Sequence, residues 1–251
     1  GAASGIGRSL AVALAAEGCH LFLVDIDHDG LRRLEQELGP CLVRIWTRAC
    51  DLMDRQAVST VIQEAINCTG GIDLLINNAG LSRHPTVART DPAGWNEDIA
   101  ANLNGAYACA HAVLPQMVAR RAGCIVNVGS VNGLSALGDP AYSAAKAGMI
   151  AMTRSIAMEY GRYGIRANCV LPGTVRTPLW DARKAKDPDV LRQLERWYPL
   201  GRIVEPVEVA SVIAFLASDA ASAVTGVALP VDCGLTAGNI VMTRELTLED
   251  F

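Results

Sequence analysis

Short apolar runs alternate with longer amphipathic segments along nearly the whole chain. The apolar runs predict strands at residues 21–25, 41–46, 72–76, 123–130, 165–171 and 227–231. The amphipathic segments predict helices from the first glycines to about residue 18, at 28–38, 54–68, 92–121 and 206–217, and from residue 140 onward. Strands and helices that alternate with short connections are typical of an α/β fold, a doubly wound parallel sheet with helices on both faces. We therefore expect residues 1–251 to form a single domain.

The composition argues against two classes of partner. Of the 251 residues, 51% are hydrophobic, which is enough for a substantial core, yet no apolar run reaches the length of a membrane span. The net charge is −4 and no basic stripe stands out, so the chain lacks the pattern of a nucleic-acid surface. We expect neither a membrane nor a nucleic acid as partner.

Neither the cysteines nor the histidines show the spacing of a metal site or a disulfide framework. The eight cysteines include no CxxC pair, and most lie in apolar runs, where cysteine behaves as a small hydrophobe. We interpret them as reduced core thiols of a cytoplasmic protein. The four histidines are scattered, so no metal ion is expected.

A glycine-rich turn opens the chain and leads into a helix. Gly1, Gly5 and Gly7 allow a tight turn and a close approach of backbone N–H groups to a pyrophosphate at a helix N-terminus. The next predicted strand ends at Asp25, which read alone is a turn residue. Its carboxylate can also accept hydrogen bonds from adenosine-ribose hydroxyls, and it would repel a 2′-phosphate. Together these features predict a Rossmann-like dinucleotide site that prefers NAD, with NADP less favoured.

The glycine turn of such a site normally follows a strand, whereas this sequence begins at the turn. In a doubly wound sheet that first strand would be central and buried on both faces, so its loss would expose apolar side chains and unpaired backbone groups. We expect that the sequence is trimmed at its N-terminus and that its first strand is missing. A fragment that is inactive for this reason is one alternative.

The segment Asp139–Lys146 carries the most suggestive chemistry. Asp139 is a good N-cap and Pro140 suits the first helical position, so a helix should begin here. Tyr142 and Lys146 are four residues apart and share one helix face. An ammonium beside a phenol is expected to lower the pKa of the tyrosine and prepare it for acid–base work. The pair alone proves little, because this spacing also occurs by chance on solvated helices.

Polar residues follow the ends of other predicted strands, where parallel sheets bind ligands. Asp51 can either meet an adenine ring or cap the next helix. Asn77 and Asn78 either form a simple turn or, with Ala79 and Gly80, leave bare backbone against a cofactor ribose.

Two more polar residues suit a catalytic cleft. Asn102 lies inside a predicted helix, where asparagine is unfavourable, so its amide is expected to bond elsewhere or a local bulge to free its carbonyl. A mid-helix asparagine also occurs by chance. Ser130 ends a strand 12 residues before Tyr142 and would present a hydroxyl to the same cleft.

The ordered set of these motifs closely resembles the short-chain dehydrogenase/reductase family. The resemblance extends to about Gly234 and depends on Gly1-x-x-x-Gly5-x-Gly7, Asn77-Asn78-Ala79-Gly80, Asn102, Ser130, Tyr142-x-x-x-Lys146, Pro172-Gly173 and Thr177. Two departures are a missing threonine before the first glycine and Asp232-Cys233-Gly234 in place of the family's Asp-Gly-Gly.

The resemblance implies an oxidoreductase that interconverts a secondary alcohol and a ketone by hydride transfer to or from NAD. It implies that Tyr142 is the general acid/base, that Lys146 tunes it and holds the nicotinamide ribose, and that Ser130 stabilises the substrate oxygen. Asn102 would hold a water of the proton path. The implied cofactor contacts are Gly1, Ser4, Gly5, Ile6, Gly7, Asp25, Asp51, Leu52, Asn78, Ala79, Gly80, Tyr142, Lys146, Pro172, Gly173, Val175 and Thr177.

Substrate specificity is expected in a lid at residues 178–200 and in nearby polar residues. Trp180, Trp197 and Tyr198 suggest a mobile lid over an apolar cleft. The candidate substrate contacts are His84, Asn132, Thr174 and Trp180, with Arg83 close by. They favour a polyol, a sugar or another polar alcohol; a 3-oxoacyl thioester, a hydroxysteroid and a cyclic ketone are alternatives.

Relatives in this family pair two long helices across subunits, which implies a homo-oligomer, with a tetramer favoured over a dimer. Small residues on the Tyr142 helix suit such close packing. The tail at residues 235–251 either reaches a neighbouring subunit or is a frayed end. A dinucleotide-binding sensor without turnover is a rival interpretation of the whole chain, and so is an epimerase or dehydratase that uses the same Tyr–Lys pair.

Overall fold

The computed structural model describes residues 1–39 and 42–250. In this part of the chain the strands are Leu21–Asp25 (β1), Ile45–Ala49 (β2), Leu74–Asn77 (β3), Gly123–Val128 (β4), Ile165–Pro172 (β5) and Ala228–Val231 (β6). The helices are Gly5–Ala16 (α1), His28–Leu38 (α2), Arg55–Thr69 (α3), Pro92–Ile99 (α4), Gly105–Arg120 (α5), Pro140–Tyr160 (α6), Asp181–Lys184 (α7), Val190–Leu194 (α8), Pro206–Ala217 (α9) and Ile240–Thr247 (α10).

All the strand pairs are parallel, which confirms the predicted α/β alternation. β1 pairs with β2, and the other strands form a sheet in the order β3-β4-β5-β6. No ladder joins β1 to β3 in the described residues, although side chains of both strands pack in one apolar cluster. The sheet is therefore divided at this point, where the sequence predicted a single one.

The helices cover both faces of the sheet, and β4 shows why. Its alternate residues point in opposite directions. Ile125 packs with Val113 and Met117 of α5, whereas Val126 packs on the other face in a cluster with residues of α1 and α9. Both strand residues are completely buried, as expected of a strand between two layers of helices.

Several predicted strand boundaries were wrong by a few residues. The prediction at 41–46 began at Cys41, which lies outside the described residues, and the strand found is Ile45–Ala49. Its position is set by pairing, since Leu21 lies opposite Ile45 and Asp25 opposite Ala49. β3 begins later than predicted and β4 ends at Val128, so that Ser130 lies just beyond the strand.

The long helical pattern at 92–121 is interrupted where the sequence contains Asn102. Residues Ala100–Asn104 form a π-helical turn between α4 and α5, and the backbone N–H of Gly105 donates to the carbonyl of Ala100, five residues back. A π-bulge of this kind is frequent at functional sites. The interruption confirms the expectation of a local bulge at Asn102.

The cysteines in the described residues are all free, but they are not all in the core. Cys50, Cys109, Cys124 and Cys169 are buried, whereas Cys19 is exposed, so the prediction of a core thiol is wrong there. Among the described helices, none combines the length and apolar character needed to span a membrane.

Candidate active site

The parallel strands bring the predicted site residues to one edge of the sheet. Asp25 and Asn77 end β1 and β3, Ser130 follows β4 by two residues, and Pro172 ends β5. Because parallel strands share their direction, these positions all lie at the carboxyl edge, where α/β folds bind ligands. The helix that carries Tyr142 and Lys146 begins at this edge as well.

The glycine turn has the geometry that a dinucleotide requires. Gly5 has a positive φ of 53°, which favours glycine. A Cβ on Gly7 would lie 1.8 Å from the carbonyl oxygen of Gly1, so no other residue fits there. Ser4 is the N-cap of α1 but makes no capping hydrogen bond, and Ile6 lies in the first turn. The turn therefore offers backbone N–H groups of a helix N-terminus to an anion.

Asp25 lies directly against this turn. Its carboxylate accepts hydrogen bonds of 2.9 Å from the backbone N–H groups of Ala3 and Asp27. These two bonds fix the carboxylate and leave acceptor capacity on both oxygens, which suits a pair of ribose hydroxyls.

Asp51 does not cap the following helix, so that interpretation is wrong. Asp54 is the cap of α3, since its carboxylate accepts from the N–H groups of Gln56 and Ala57. The Asp51 carboxylate accepts only a turn bond from Met53 in the described residues. Leu52 packs against Gly105, at the start of α5.

Asn78, Ala79 and Gly80 form a crowded stretch of backbone beside the turn. The side-chain amide of Asn78 donates to the carbonyl of Gly1 at 2.6 Å, and a Cβ on Gly1 would lie 2.7 Å from Cα of Ala79. A Cβ on Gly80 would lie 3.3 Å from Nζ of Lys146. The glycines thus let the turn, this backbone and the lysine come together.

Asn102 is fully buried and uses its side-chain amide to hold the next residue of this stretch. Its Nδ2 donates to the carbonyl of Leu81 at 2.7 Å, and its Oδ1 accepts from the N–H of Leu81 at 3.1 Å. The same Nδ2 donates to the carbonyl of Asp98 at 2.8 Å. The side chain is therefore fixed between two backbone segments, and the π-helical turn supplies its position.

The segment after β5 completes the cofactor side of the edge. The methyl group of Thr177 would lie 3.0 Å from a Cβ on Gly5, and a Cβ on Gly173 would lie 3.1 Å from Cα of Asp232. Val175 is buried and forms a bridge with Val204. Pro172 pairs with Val231 of β6.

Tyr142 and Ser130 face each other. Ser130 is close enough to the Tyr142 phenol to act on its pKa. Its hydroxyl donates to Oδ1 of Asn132 at 3.4 Å, and its oxygen accepts from the N–H of Asn132 at 3.1 Å. Asp139 precedes this helix with a positive φ of 48°, and its side chain makes no capping bond, so its predicted role as a side-chain N-cap is wrong. Instead the Asp139 carboxylate lies 3.9 Å from the guanidinium of Arg183.

Lys146 lies on the same helix face as Tyr142, as predicted. Its side chain is buried, with Nζ 5.4 Å from the centroid of the Tyr142 ring, and it donates a 2.8 Å hydrogen bond to the carbonyl of Val128. Burial lowers its pKa from 10.5 to about 8, which the neighbouring Cys169 partly opposes. The ammonium is therefore charged at neutral pH and close to losing its proton.

The expected lowering of the Tyr142 pKa is not what the structure gives. Burial of the phenol raises its pKa above the ordinary value, and the charge of Asp139 acts in the same direction. The nearby Ser130 hydroxyl lowers the pKa of Tyr142, but its effect is outweighed. The desolvation that makes Lys146 easy to deprotonate also keeps the tyrosine protonated.

The candidate substrate residues are already engaged within the protein. Nδ1 of His84 lies 3.3 Å from Oδ2 of Asp98, and the amide of Asn132 donates to the carbonyl of Gly138 at 3.3 Å and to the hydroxyl of Ser143 at 3.2 Å. The Thr174 N–H donates to the Tyr198 hydroxyl at 2.9 Å. A substrate would therefore have to compete with these internal hydrogen bonds.

The segment 178–200 contains short helices with an apolar cluster of its own. Leu191, Tyr198 and Ile203 are its buried centre, and Trp180 and Trp197 pack around them. Tyr198 is only 4% exposed, and the lid at residues 178–200 stays a prediction. Trp180 also stacks with Arg183, whose guanidinium carbon is 4.7 Å from the ring centroid.

Two residues near the site were missed by the sequence reasoning. Asp98 is completely buried although it lies on α4, one turn before Asn102. The sequence did contain a signal for Asp98, because an acidic residue on the apolar face of an amphipathic helix is unusual. Arg183 was one of several charges in an irregular segment, and nothing in the sequence pointed to its partner Asp139.

The arrangement can hold a dinucleotide and move a proton. The glycine turn and Asp25 fit a pyrophosphate and a ribose, and the Ser130–Tyr142–Lys146 cluster provides a hydroxyl network next to an ammonium. In the described residues, no group of three or more His, Cys, Asp or Glu side chains is placed to hold a metal ion.

The buried ammonium of Lys146 should be visible in the pH dependence of stability. Below about pH 8 the folded and unfolded chains both carry this charge, and folding bears the full penalty of burying it. Between about pH 8 and 10.5 the folded chain has lost the proton and the unfolded chain has not, so the penalty falls steadily as the pH rises through this window. We compare the free energy of unfolding of Lys146→Met with that of the wild type by urea unfolding. The difference in favour of the variant should be larger at pH 7 than at pH 10. The exposed Lys184→Met is the control; an equal difference between K146M and wild type at both pH values would contradict the assignment.

Comparison with known proteins agrees with this site. A family model described as enoyl-(acyl carrier protein) reductase matches residues 1–236. An oxidoreductase structure of the short-chain dehydrogenase/reductase family from Burkholderia thailandensis is 47% identical, with a TM-score of 0.94, and the match covers 100% of this chain and 96% of that one.

Two curated relatives have named activities. The 3-oxoacyl-[acyl-carrier-protein] reductase FabG of Thermotoga maritima is 38% identical over 94% of this chain and 95% of its own length. Levodione reductase of Leifsonia aquatica is 37% identical over 94% of this chain and 92% of its own length. With the site geometry, these matches show that the chain belongs to the short-chain dehydrogenase/reductase family of NAD(P)-binding oxidoreductases, which act on CH–OH groups.

Proposed function

We propose that the protein interconverts a secondary alcohol and a ketone by hydride transfer to and from NAD, with Tyr142 as the general acid/base. One observation carries the proposal: the buried Lys146 ammonium, held by the carbonyl of Val128, lies 5.4 Å from the centroid of the Tyr142 ring, with Ser130 close to the phenol. A sensor without turnover would not need a buried ammonium and a buried hydroxyl beside a partly buried phenol, because their desolvation is unfavourable.

In the direction of alcohol oxidation, the substrate hydroxyl binds between Ser130 and Tyr142. Tyr142 removes the hydroxyl proton while the carbinol carbon loses a hydride, so that the C–O single bond becomes a carbonyl double bond. NAD, when bound, supplies the acceptor for that hydride. Ser130 hydrogen-bonds the substrate oxygen as its charge changes. Lys146 stabilises the phenolate form of Tyr142, and its ammonium is also suited to hold a ribose hydroxyl.

NAD rather than NADP is proposed because of Asp25. Its carboxylate is held against the glycine turn by two backbone N–H groups, so it cannot easily move away from an added phosphate. A 2′-phosphate would meet a like charge at this point, whereas ribose hydroxyls would donate hydrogen bonds to it.

The substrate proposed is a polar or cyclic secondary alcohol. His84, Asn132, Thr174 and Trp180 remain the candidate contacts, with polar groups in three of the four. Levodione reductase acts, by its name, on levodione, which makes a cyclic ketone the first class to assay. Sugars, polyols and steroids should be tested beside it by the absorbance of NADH.

A 3-oxoacyl thioester is the second candidate. It is favoured by the name of the Thermotoga maritima relative, a 3-oxoacyl-[acyl-carrier-protein] reductase. Turnover of an acyl thioester together with no turnover of free cyclic ketones would replace the first candidate by this one.

We expect Tyr142→Phe to abolish turnover, since it removes the group that exchanges the proton. A loss of about 10²–10⁴-fold in kcat corresponds to general acid–base catalysis. NAD binding, measured by calorimetry, should change little because the ring is retained. Tyr160→Phe, at the far end of the same helix, is the control. Turnover by Y142F at the wild-type rate would exclude Tyr142 as the acid/base.

Asp25→Asn should narrow the preference for NAD over NADP. The variant keeps an acceptor oxygen but removes the charge, so the KM for NADP should fall relative to that for NAD by about tenfold or more. Asp27→Asn, an exposed helix cap two residues later, is the matched control. An unchanged preference in D25N would mean that Asp25 does not contact the ribose.

A homo-oligomer, with a tetramer favoured, is proposed from the outer surface of α5 and α6. Tyr107 on α5 and Met158 on α6 are 55% and 85% exposed, which is unusual for large apolar side chains and suits burial by a second copy of this chain. Sedimentation velocity at micromolar concentration should give a tetramer, and Met158→Asp should reduce its size. Sedimentation of the wild-type chain as a monomer would refute this.

A further inference from the structure

Asp98 is a buried carboxylate that the proposed reaction does not use. Its side chain is fully buried on α4, and Oδ2 lies 3.3 Å from Nδ1 of His84. Its Oδ1 has no hydrogen-bond partner within the described residues. Only His84 therefore compensates this carboxylate in that part of the chain, and the contact is long.

His84 is fitted onto α4 by the shape of the helix. A Cβ on Gly94 would lie 2.6 Å from both Cε1 and Nε2 of the imidazole, so the ring lies where Gly94 has no side chain. Gly94 and Asp98 are one helical turn apart and form the surface on which the ring rests. The imidazole is thus held in one place by shape as well as by the carboxylate.

Such a pair is a poor way to stabilise a fold. Desolvation of a carboxylate is strongly unfavourable unless it is well hydrogen-bonded, and exchange of a buried ion pair for apolar residues is often neutral or stabilising. An incompletely bonded carboxylate on the inner face of α4 breaks the local rules of packing. Where a chain breaks such rules, a functional site is the expected reason.

The pair is joined to the catalytic cluster through Asn102. Asn102 donates from Nδ2 to the backbone carbonyl of Asp98 and binds the backbone of Leu81 in both directions. His84 lies three residues after Leu81. The segment from Leu81 to His84 is consequently fixed at both ends, by Asn102 at its start and by Asp98 at its finish.

The residue before this segment is Gly80, which borders the buried lysine. A Cβ on Gly80 would lie 2.7 Å from Oδ1 of Asn102 and 3.3 Å from Nζ of Lys146. A shift of the Leu81–His84 segment would therefore move Gly80 and Asn102 relative to the ammonium. A displacement of about 1 Å at a catalytic centre can reduce the rate by about 10²-fold.

We propose that Asp98 and His84 are positioning residues, which hold the Leu81–His84 segment on α4 and so keep Asn102 and Gly80 in place beside Lys146. This inference rests on the proposed function, because the reaction it supports is the one assigned to Tyr142. It adds a positioning role to the candidate substrate contact of His84.

The chain provides a matched control one residue earlier on each element. Arg83 and Glu97 form an ion pair between the same segment and the same helix, but the Arg83 side chain is exposed and that of Glu97 is partly exposed. Such pairs near the surface contribute little to stability. Glu97→Gln breaks that pair and leaves the buried one intact.

The first test is the double variant Asp98→Leu with His84→Leu, which replaces the pair by apolar side chains. Its free energy of unfolding should equal or exceed that of the wild type, whereas kcat should fall by about 10- to 100-fold. The dissociation constant for NAD, measured by calorimetry, should rise because Gly80 and its neighbours are displaced. The single variant Asp98→Asn keeps an acceptor for the imidazole and should retain most of the wild-type kcat. The control E97Q should match the wild type in unfolding free energy, kcat and NAD affinity.

The inference is overturned if the double variant folds and retains the kcat and NAD affinity of the wild type. Should the double variant fail to fold, a comparison of His84→Asn with His84→Ala decides, because H84N keeps a side-chain donor for Asp98. A higher kcat and tighter NAD binding in H84N than in H84A would support the proposal. Equal values in the two variants would overturn it. An inactive wild type would count against the proposed function, while the NAD-binding comparison would still test the positioning role.

Discussion

The buried ammonium of Lys146 is the constraint on which the rest of the site depends. A charge in this position must be compensated, and the structure supplies the carbonyl of Val128 and the face of the Tyr142 ring. Space for it comes from glycines: Gly80 borders Nζ, and a Cβ on Gly133 would lie 2.9 Å from the backbone carbon of Lys146. The end of β4, the Asn78–Gly80 backbone and α6 are therefore brought together around one cation.

Burial shifts the pKa values of Lys146 and Tyr142 in opposite directions. It lowers the pKa of Lys146 to about 8 and raises the pKa of Tyr142 above its ordinary value. With the charge of Asp139 nearby, the phenol of the protein alone is protonated at neutral pH. The phenolate that the proposed hydride transfer requires must accordingly be favoured by positive charge, and we propose that Lys146 provides part of it. Oxidised NAD carries a further positive charge on its nicotinamide ring, so we expect cofactor binding to complete the activation.

Much of the fold and the centre of the site could be predicted from the sequence, because both depend on local spacing. The alternation of apolar runs gave the order of strands and helices, and the four-residue separation of Tyr142 and Lys146 placed them on one face. The mid-helix Asn102 correctly indicated a bulge. These features are properties of short segments, in which each residue type has few conformational choices.

The features that could not be predicted depend on contacts between distant segments. The position of β2 follows its pairing with β1, and the left-handed conformation of Asp139 accompanies an N–H bond from this residue to Pro85. The burial of Tyr198, which is 4% exposed, depends on the cluster it forms with Leu191 and Ile203, and its hydroxyl accepts a hydrogen bond from the N–H of Thr174. The pairing of Asp98 with His84 joins residues 14 apart, and the rise in the Tyr142 pKa depends on how completely the tertiary structure excludes water.

The most direct test of this account is a titration of Tyr142 itself, from the ultraviolet absorbance difference between the wild type and Tyr142→Phe, with and without NAD⁺. We expect the phenol to ionise above the usual pH range of tyrosine in the protein alone, and at clearly lower pH when oxidised NAD is bound. A Tyr142 that titrates at the same pH in both states would contradict the claim that a phenol, a buried ammonium and the cofactor share one electrostatic site.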